Sequence, residues 1–547
     1  MDLLYSWSRM IVALIFSIMF SLAVGIAAAR NRRAEAIIIP LLDVLQSIPI
    51  LGFFPFVILG IADVIPGPAG TDLAVIFLIF TSMSWNICFG VYEAVKSIPQ
   101  DYIDLSFMSN TGTLQRVVSL YIPASLSRIA YNTQISWAVG LFYLISSEVI
   151  TTATSGTLPV RGIGVDIFTY GIQHDSTAYY SCLGLLVVAV VIWQFIFLRE
   201  FSLWAEKYRF GDVPQGGHKD WLMRRYSWIS ERSLSKLFLI RPGKGVTAFT
   251  SSLSRYRRGL KYALLILFLV FLAFLVATEA NLMRTSHHSF NLSAVLSAAP
   301  ADEAFILVGL AYSFVRIWYV YFICVLVALP VGILIALHEK AYNTLIPVIE
   351  TIASVPSTAL LPALVPFTMI AGSYAGELTA AMVIFLGMVW YILFNVMAGI
   401  RTLPGDLFEL KRSLKVTAAQ AWRNIYLPAV ATAFVTGSIT AVGAAWNTLI
   451  VAEFFGSKGQ APLTQVGQGI GKIIVIATDG CLTNGQPNAL YAANPTLCGM
   501  ITANNGAGDG LVLTLAVLSM TVLVVAFNLI VWRRVYHFVT KRYAYNR

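Results

Sequence analysis

The sequence predicts an all-α polytopic membrane protein with about eleven transmembrane helices, arranged as two parallel copies of one unit. Three observations predict this fold class: the composition, the recurrence of long apolar stretches, and an internal repeat. Hydrophobic residues make up 58% of the 547 residues and charged residues only 12%, whereas a soluble domain carries about 25% charged residues. This composition is typical of a protein whose surface faces lipid.

Apolar stretches recur along the whole chain. A helix needs about 20 residues to cross a hydrocarbon core of ~30 Å, and eleven stretches approach or exceed that length. The predicted spans are 10–29, 37–60, 73–95, 127–150, 182–198, 259–278, 306–337, 344–370, 377–400, 430–454 and 510–532.

The distribution of Lys and Arg predicts the orientation of the spans, because basic loops stay on the cytoplasmic side of a membrane. Segment 199–258 holds thirteen Lys or Arg residues. We therefore predict a bacterial-type cytoplasmic membrane protein with this linker and the C-terminus inside and the N-terminus outside. Nucleic-acid binding by the linker is not expected, since basic cytoplasmic loops are usual in membrane proteins and also attract anionic lipids.

An internal repeat predicts the architecture. Shifted by 307 residues, 6–55 align with 313–362 without a gap, and at a shift of 305 the match continues as far as Glu148. The matched pairs include Gly25/Gly332, Pro40/Pro347, Asp43/Glu350, Pro49/Pro356, Pro123/Pro428 and Glu148/Glu453. Span 259–278 would give both copies the same orientation, so we expect an axis along the membrane normal rather than the inverted repeats of many carriers.

The repeat also predicts the domain boundaries. The predicted segments are a first repeat 1–198, a basic linker 199–258, an additional span with an outer loop 259–305, and a second repeat 306–547 that contains an outer loop 455–509. Cys481 and Cys498 lie in that last loop, and in an oxidising compartment they would form a disulfide. The alternative is two free thiols in a disordered insert.

Between the third and fourth spans of each repeat lies a polar, proline-flanked loop. The first loop has an acid at Asp104 and the second at Glu409; six residues later come Asn110 and Lys415, and each loop ends in an apolar tripeptide followed by proline. The two prolines are Pro123 and Pro428. In its spacing this pattern resembles the EAA loop of ABC importer permeases, although that family has Gly where Asn110 and Lys415 stand.

The wider resemblance is to the nitrate/taurine/bicarbonate-type branch of these permeases and covers about 20–175 and 325–475. It implies a type I importer fold in which each EAA loop forms a short coupling helix on a separate nucleotide-binding subunit. The implied partners are two ATPase subunits, which bind ATP and Mg, and a binding protein outside the cell. The implied solute is a small anion.

No catalytic, cofactor or metal site is predicted within this chain. It has no GxxxxGK[ST] loop, so ATP hydrolysis would come from another polypeptide, and its few His residues lack the spacing of metal ligands. Two alternative functions stay open: an ion-gradient-driven secondary carrier, and a membrane scaffold or sensor that has kept a permease fold.

Two further sets of residues are candidates for function. Ionisable residues inside a membrane must be paired or face water, and they therefore either line a solute path or form structural ion pairs. These residues are Arg9, Asp43, Glu148, Arg316, Glu350 and Glu453. Prolines that break helical regularity are tolerated where the backbone faces protein or a cavity, which predicts a pore lining of Ser47, Pro49, Pro55, Ser354, Pro356 and Pro362.

Overall fold

The computed structural model shows a chain that is almost entirely helical. It describes residues 1–65, 67–109, 111–154, 160–173, 175–205, 304–403, 407, 413–414, 416–457, 468–479, 482–483, 486–487, 498 and 510–543. The predicted linker is described only over 199–205, and the predicted span 259–278 lies outside these residues.

The described residues of the first repeat and of the start of the predicted linker contain ten helices, of which the tenth belongs to the linker. They are α1 Asp2–Arg30, α2 Arg32–Ser47, α3 Ile50–Val64, α4 Pro68–Lys96, α5 Gln100–Met108, α6 Thr113–Arg116, α7 Ile122–Thr154, α8 Ile163–Ile172, α9 Ser176–Ile192 and α10 Arg199–Ala205. A π-helical turn, Val117–Tyr121, joins α6 to α7, and another, Trp193–Leu198, joins α9 to α10.

The second repeat follows the same order. Its described helices are α11 Ala304–Leu337, α12 Glu339–Ala353, α13 Leu361–Thr368, α14 Ala375–Arg401, α15 Ala418–Ala421, α16 Leu427–Ser457, α17 Ile470–Asp479, α18 Gly510–Phe527 and α19 Arg533–Tyr543. π-helical turns Trp422–Tyr426 and Asn528–Trp532 precede α16 and α19. One short antiparallel pair, β1 Leu482–Thr483 with β2 Gln486–Pro487, lies in the predicted outer loop.

Seven helices in the described part of the chain are long and apolar enough to cross a membrane. They are Asp2–Arg30, Pro68–Lys96, Ser176–Ser202, Phe305–Leu337, Ala375–Arg401, Ala418–Glu453 and Val512–Arg542. Each of the predicted spans 37–60 and 344–370 contains two shorter helices, and the interruption lies at the proline-containing segment predicted to break helical regularity. The total of eleven spans stays a prediction.

The core of each repeat is a row of three helices, α1–α4–α7 in the first and α11–α14–α16 in the second. The first two helices of each row run parallel to each other, and the third runs antiparallel to them. Small residues let neighbouring backbones approach closely. A Cβ added at Gly25 would lie 2.9 Å from the Val91 side chain, and one at Gly332 would lie 3.0 Å from Val396. The matched glycines of the two repeats therefore set the spacing of α1 on α4 and of α11 on α14.

Gly25→Ala should destabilise the protein by about 1–3 kcal/mol, because the new methyl overpacks a close helix crossing. Gly184→Ala is the control, since a Cβ at Gly184 meets nothing within 4 Å and alanine favours helix more than glycine. Thermal unfolding in detergent would measure both. An equal midpoint for the two variants would contradict this account of the crossing.

One end of the helices is rich in basic residues, including Arg30, Lys96, Arg401 and Arg533; we call it the basic end, and the other the opposite end. In the first repeat Lys96 pairs with Glu35 at 2.8 Å, and this hydrogen bond lowers the pKa of the Glu35 carboxyl. In the second repeat the guanidinium of Arg401 stacks 4.5 Å from the ring centroid of Tyr342. Both contacts hold the second helix of a repeat against the fourth.

The π-helical turns before α7 and α16 have a common cause. Pro123 and Pro428 lie just after these turns. A proline has no N–H, and its ring clashes with the carbonyl four residues earlier, so a wider turn at that point relieves the clash. The two prolines that end the predicted loops therefore lie in the first turn of α7 and α16.

Candidate functional site

A buried ion-pair cluster lies at the opposite end of the first repeat. Arg9 on α1 donates to Glu148 on α7 at 2.8 Å and to Asp72 on α4 at 2.6 Å. Ser6 Oγ donates to Glu148 Oε1 at 2.6 Å. Glu148 is fully buried, whereas Asp72 is 43% exposed. The cluster therefore joins three helices and reaches the surface only through Asp72.

The turn into α8 completes the cluster. The Gly164 N–H donates to Glu148 Oε2 at 2.8 Å, and the Ile163 N–H donates to Ser6 Oγ at 3.0 Å. A Cβ added at Gly162 would lie 2.2 Å from the Glu148 carboxylate. The Gly-Ile-Gly turn is thus needed for close approach, and the carboxylate takes the position at a helix N-terminus where free N–H groups favour an anion.

The second repeat contains the same cluster. Arg316 on α11 bonds the fully buried Glu453 on α16 and donates to Glu377 on α14 at 2.7 Å. Ser313 Oγ donates to Glu453 at 2.7 Å, and the Gly471 N–H donates to its other oxygen at 2.6 Å. The contacts are therefore shared by both repeats, residue for residue.

These contacts bear on the two alternatives for the intramembrane charges. Arg9, Glu148, Arg316 and Glu453 bond one another, hydroxyls and backbone amides, and they do not line the cavity described below. A buried charge is tolerated when its partners satisfy it in this way. Asp72 and Glu377 were not among the ionisable residues predicted from the sequence, although they align with each other at a shift of 305.

A cavity of about 1130 Å³ lies between the two repeats. Its wall is largely aromatic and apolar, with a repeat-related pair, Trp85 and Trp390, contributed by α4 and α14. Amide side chains also line it: Gln46, Asn86, Gln134, Gln194, Asn395, Asn447 and Asn528. Among the lining residues Glu350 is the carboxylate and Arg533 the cation.

The cavity extends toward the basic end and stops short of the opposite end. Tyr131 and Tyr536, both exposed, line it near the basic end. On α16 the lining residues run from Thr436 to Thr448, and the next residues, from Leu449 to Glu453, are buried. The last turns of α16 therefore belong to a packed layer that contains the ion-pair clusters.

The residues predicted to line a pore fall into three groups. Ser354 and Pro356 line the cavity. Pro49 and Pro55 are buried, and Pro362 lies in the first turn of α13; none of the three is a lining residue. Glu350 also faces the cavity, whereas the side chains of Ser47 and Asp43 lie outside the described part of the structure.

Each broken segment begins a helix that is capped by the opposite repeat. The Leu51 N–H, in the first turn of α3, donates to Asn447 Oδ1 of α16 at 3.2 Å. The Ala363 N–H, in the first turn of α13, donates to the hydroxyl of Tyr179 at 3.2 Å, and that hydroxyl donates to the Ala359 carbonyl at 3.0 Å. First-turn N–H groups have no partner within their own helix, so each repeat depends on the other.

The loop helix α5 lies at the basic end and begins directly after Pro99. Asp104 accepts a hydrogen bond from Gln100 at 2.9 Å, and Ile103 is buried beneath the helix. Tyr102, Leu105 and Met108 are exposed, Met108 by 85%. The predicted residues Asn110, Glu409 and Lys415 lie outside the described residues.

The cysteines divide into two sets. Cys88, Cys182 and Cys324 are free. Cys498 is buried and disulfide-bonded, while Cys481 lies outside the described residues, so the pairing of these two stays a prediction. Within the described ranges no group of His, Cys, Asp and Glu could hold a metal ion.

A duplicated helical unit that encloses a cavity between its copies is the architecture of a membrane permease. The chain belongs to the family of binding-protein-dependent transport system inner membrane components, which matches residues 21–202 and again 328–541. It is therefore a fused tandem member of that family, as the repeat predicts.

Curated relatives resemble parts of the chain. It is 30% identical over 127 residues to nitrate import permease protein NrtB of Synechocystis sp., covering 23% of this chain and 44% of the relative. It is 30% identical over 178 residues to bicarbonate transport system permease protein CmpB of Synechococcus elongatus, covering 31% and 59%. It is 31% identical over 144 residues to taurine transport system permease protein TauC of Escherichia coli, covering 26% and 50%. The chain spans about half the length of these relatives.

Proposed function

We propose that the chain forms both membrane halves of an ATP-driven importer, with the central cavity as the solute pathway. The observation that carries this proposal is a cavity that both repeats line. The loop helix α5 lies at the basic end of the helices, toward which this cavity extends. The sequence has no nucleotide-binding loop, so the proposal assigns ATP and Mg to two partner subunits.

The exposed face of α5 supports docking of an ATPase subunit. Leu105 and Met108 are 60% and 85% exposed on a helix of nine residues at the basic end, which positive-inside orientation assigns to the cytoplasm. Exposed apolar side chains that cluster on one surface commonly mark an interaction site. The buried Ile103 anchors the same helix to the membrane domain, so force on α5 would pass to the helices around the cavity.

For the solute we propose a small anion, delivered at the opposite end by a separate binding protein. Three relatives carry names that specify nitrate, bicarbonate and taurine. The amide groups of the cavity wall can donate hydrogen bonds to an anion as it passes. Arg533 is the one cation among the described lining residues, so these residues would hold such a solute weakly and release it readily.

Changing Leu105 and Met108 together to Asp should reduce recovery of the ATPase subunits at least tenfold in a pull-down of the detergent-solubilised protein, since charges in an apolar contact must be desolvated. Lys340→Asp is the matched control: it adds the same charge to an exposed position at the basic end, away from α5.

Three outcomes would count against the proposal. Undiminished recovery with the doubly changed α5 would remove the docking assignment. Solute uptake into vesicles that contain this chain without any ATPase subunit would favour the ion-gradient carrier, and an absence of uptake with all subunits present would favour the scaffold or sensor.

A further inference from the structure

We propose that Tyr179 and Asn447 are the latches of a gate that closes the cavity toward the opposite end. The role of this gate in solute movement rests on the importer function proposed above. The contacts that form the gate do not depend on that function. We define the roof as the two broken segments, 48–52 and 354–363.

The roof lies at the boundary between cavity and packed layer. Ile50, Val355 and Ser357 line the cavity, whereas Leu51, Ala359 and Leu361, a few residues further along the chain, are buried. The Ser357 hydroxyl has no hydrogen-bond partner among the described residues. A solute moving from the cavity toward the opposite end would therefore meet these two segments first.

The roof segments do not close within their own repeat. Leu51 of the first repeat is bonded by Asn447 of the second, 396 residues away. Ala359 and Ala363 of the second repeat are bonded by Tyr179 of the first. Both contacts cross the interface that must widen if the two repeats move apart.

Packing around the roof also crosses the interface. A Cβ added at Gly52 would lie 2.4 Å from Met520 Cε, and one added at Gly171 would lie 2.7 Å from Pro362. Gly52 and Gly171 belong to the first repeat, and Met520 and Pro362 to the second. These contacts are apolar and can slide, so the latch bonds are the directional contacts that hold the roof closed.

Each latch is both strong enough to hold and weak enough to release. A first-turn N–H left without a partner in a membrane interior is costly, which favours the closed state. An opening of the two repeats that admits water would hydrate the same N–H and carbonyl groups, so the cost falls as soon as the gate is open. This coupling to hydration makes the closed and open states two separate arrangements rather than a continuum.

The test uses a cysteine reporter in the cavity. Gly443 lines the cavity, and a Cβ there meets nothing within 4 Å. The full-length chain carries Gly443→Cys, with the free Cys88, Cys182 and Cys324 changed to Ala. Membrane vesicles of each orientation are treated with a membrane-impermeant maleimide, so that labelling from each side is measured separately without ATP, partner or solute.

Gly443→Cys should react from the basic end and only slowly from the opposite end. Adding Tyr179→Phe or Asn447→Ser should raise the rate from the opposite end about tenfold, since a buried hydrogen bond contributes about that factor to an equilibrium. The two changes together should raise the labelling rate from the opposite end by the product of their separate factors. Tyr321→Phe is the matched control, because it removes a buried hydroxyl that bonds Ser438 within one repeat.

Unchanged labelling from the opposite end in both latch variants, with normal labelling from the basic end, would overturn the proposal. Equal labelling from both sides in the parent would overturn it as well, because the roof would then not be closed. If Asn447→Ser fails to fold, Tyr179→Phe, which removes one oxygen atom and no packing volume, decides alone. A failed ATPase pull-down would leave these results intact and would count against the importer function only.

Discussion

Glu453→Gln should destabilise the protein by about 3 kcal/mol, since breaking a buried ion pair is costly and leaves the buried Arg316 with the partly exposed Glu377 as its remaining carboxylate partner. Glu453 is fully buried and accepts bonds from Arg316, Ser313 and the Gly471 N–H. A glutamine would retain one acceptor oxygen and would place an NH₂ group against donors. Thermal or denaturant unfolding in detergent would measure the loss.

Glu377→Gln is the matched control for this prediction. Glu377 bonds the same guanidinium of Arg316, but its side chain is 34% exposed, so its loss should cost at most about 1 kcal/mol. The double variant Arg316→Met with Glu453→Met should recover much of the stability, because apolar residues can replace a buried pair at little cost. A double variant less stable than Glu453→Gln would contradict this account.

Gly443→Trp should abolish solute transport while leaving the fold intact. A Cβ at Gly443 meets nothing within 4 Å and lies at the cavity wall, so an indole there should project into the proposed pathway. If the chain conducts solute as proposed, ATP-dependent uptake of the transported solute should fall at least tenfold. Uptake into proteoliposomes that contain the ATPase subunits would measure the effect.

Gly184→Trp controls for the size of the new side chain. Gly184 also has nothing within 4 Å of an added Cβ, but it is exposed on α9 and does not line the cavity. Equal uptake by both variants at the parent level would mean that the solute takes another route. Loss of uptake in both would mean that tryptophan itself disturbs the protein.

The repeat made the general architecture accessible from sequence. Gly25 and Gly332 align at one shift and Glu148 and Glu453 at another, and the structure gives each matched pair the same environment. Matched residues of unusual type in an apolar background therefore indicated where close packing and ion pairing occur. Asp72 and Glu377 could have been found by the same alignment.

The prolines Pro49 and Pro356 indicated where the two broken spans are irregular, but the contacts that hold these interruptions could not be predicted from sequence. Hydropathy treats 37–60 and 344–370 as continuous, because it counts apolar side chains and does not see which N–H groups lack partners. The partners of those groups, Asn447 and Tyr179, lie 396 and 184 residues away in the chain. No local pattern relates them, and a shift of 305 aligns Asn447 with Phe142, so the repeat itself gives no signal.

The difference between Phe142 in the first repeat and Asn447 in the second has a consequence for how the two repeats can assemble. A homodimer of the first repeat would present Phe142 where Asn447 stands, and nothing at that position could accept from the Leu51 N–H. The two repeats are therefore not interchangeable at this contact. Chimaeras that duplicate one copy should assemble poorly, whereas coexpressed separate copies should still find each other.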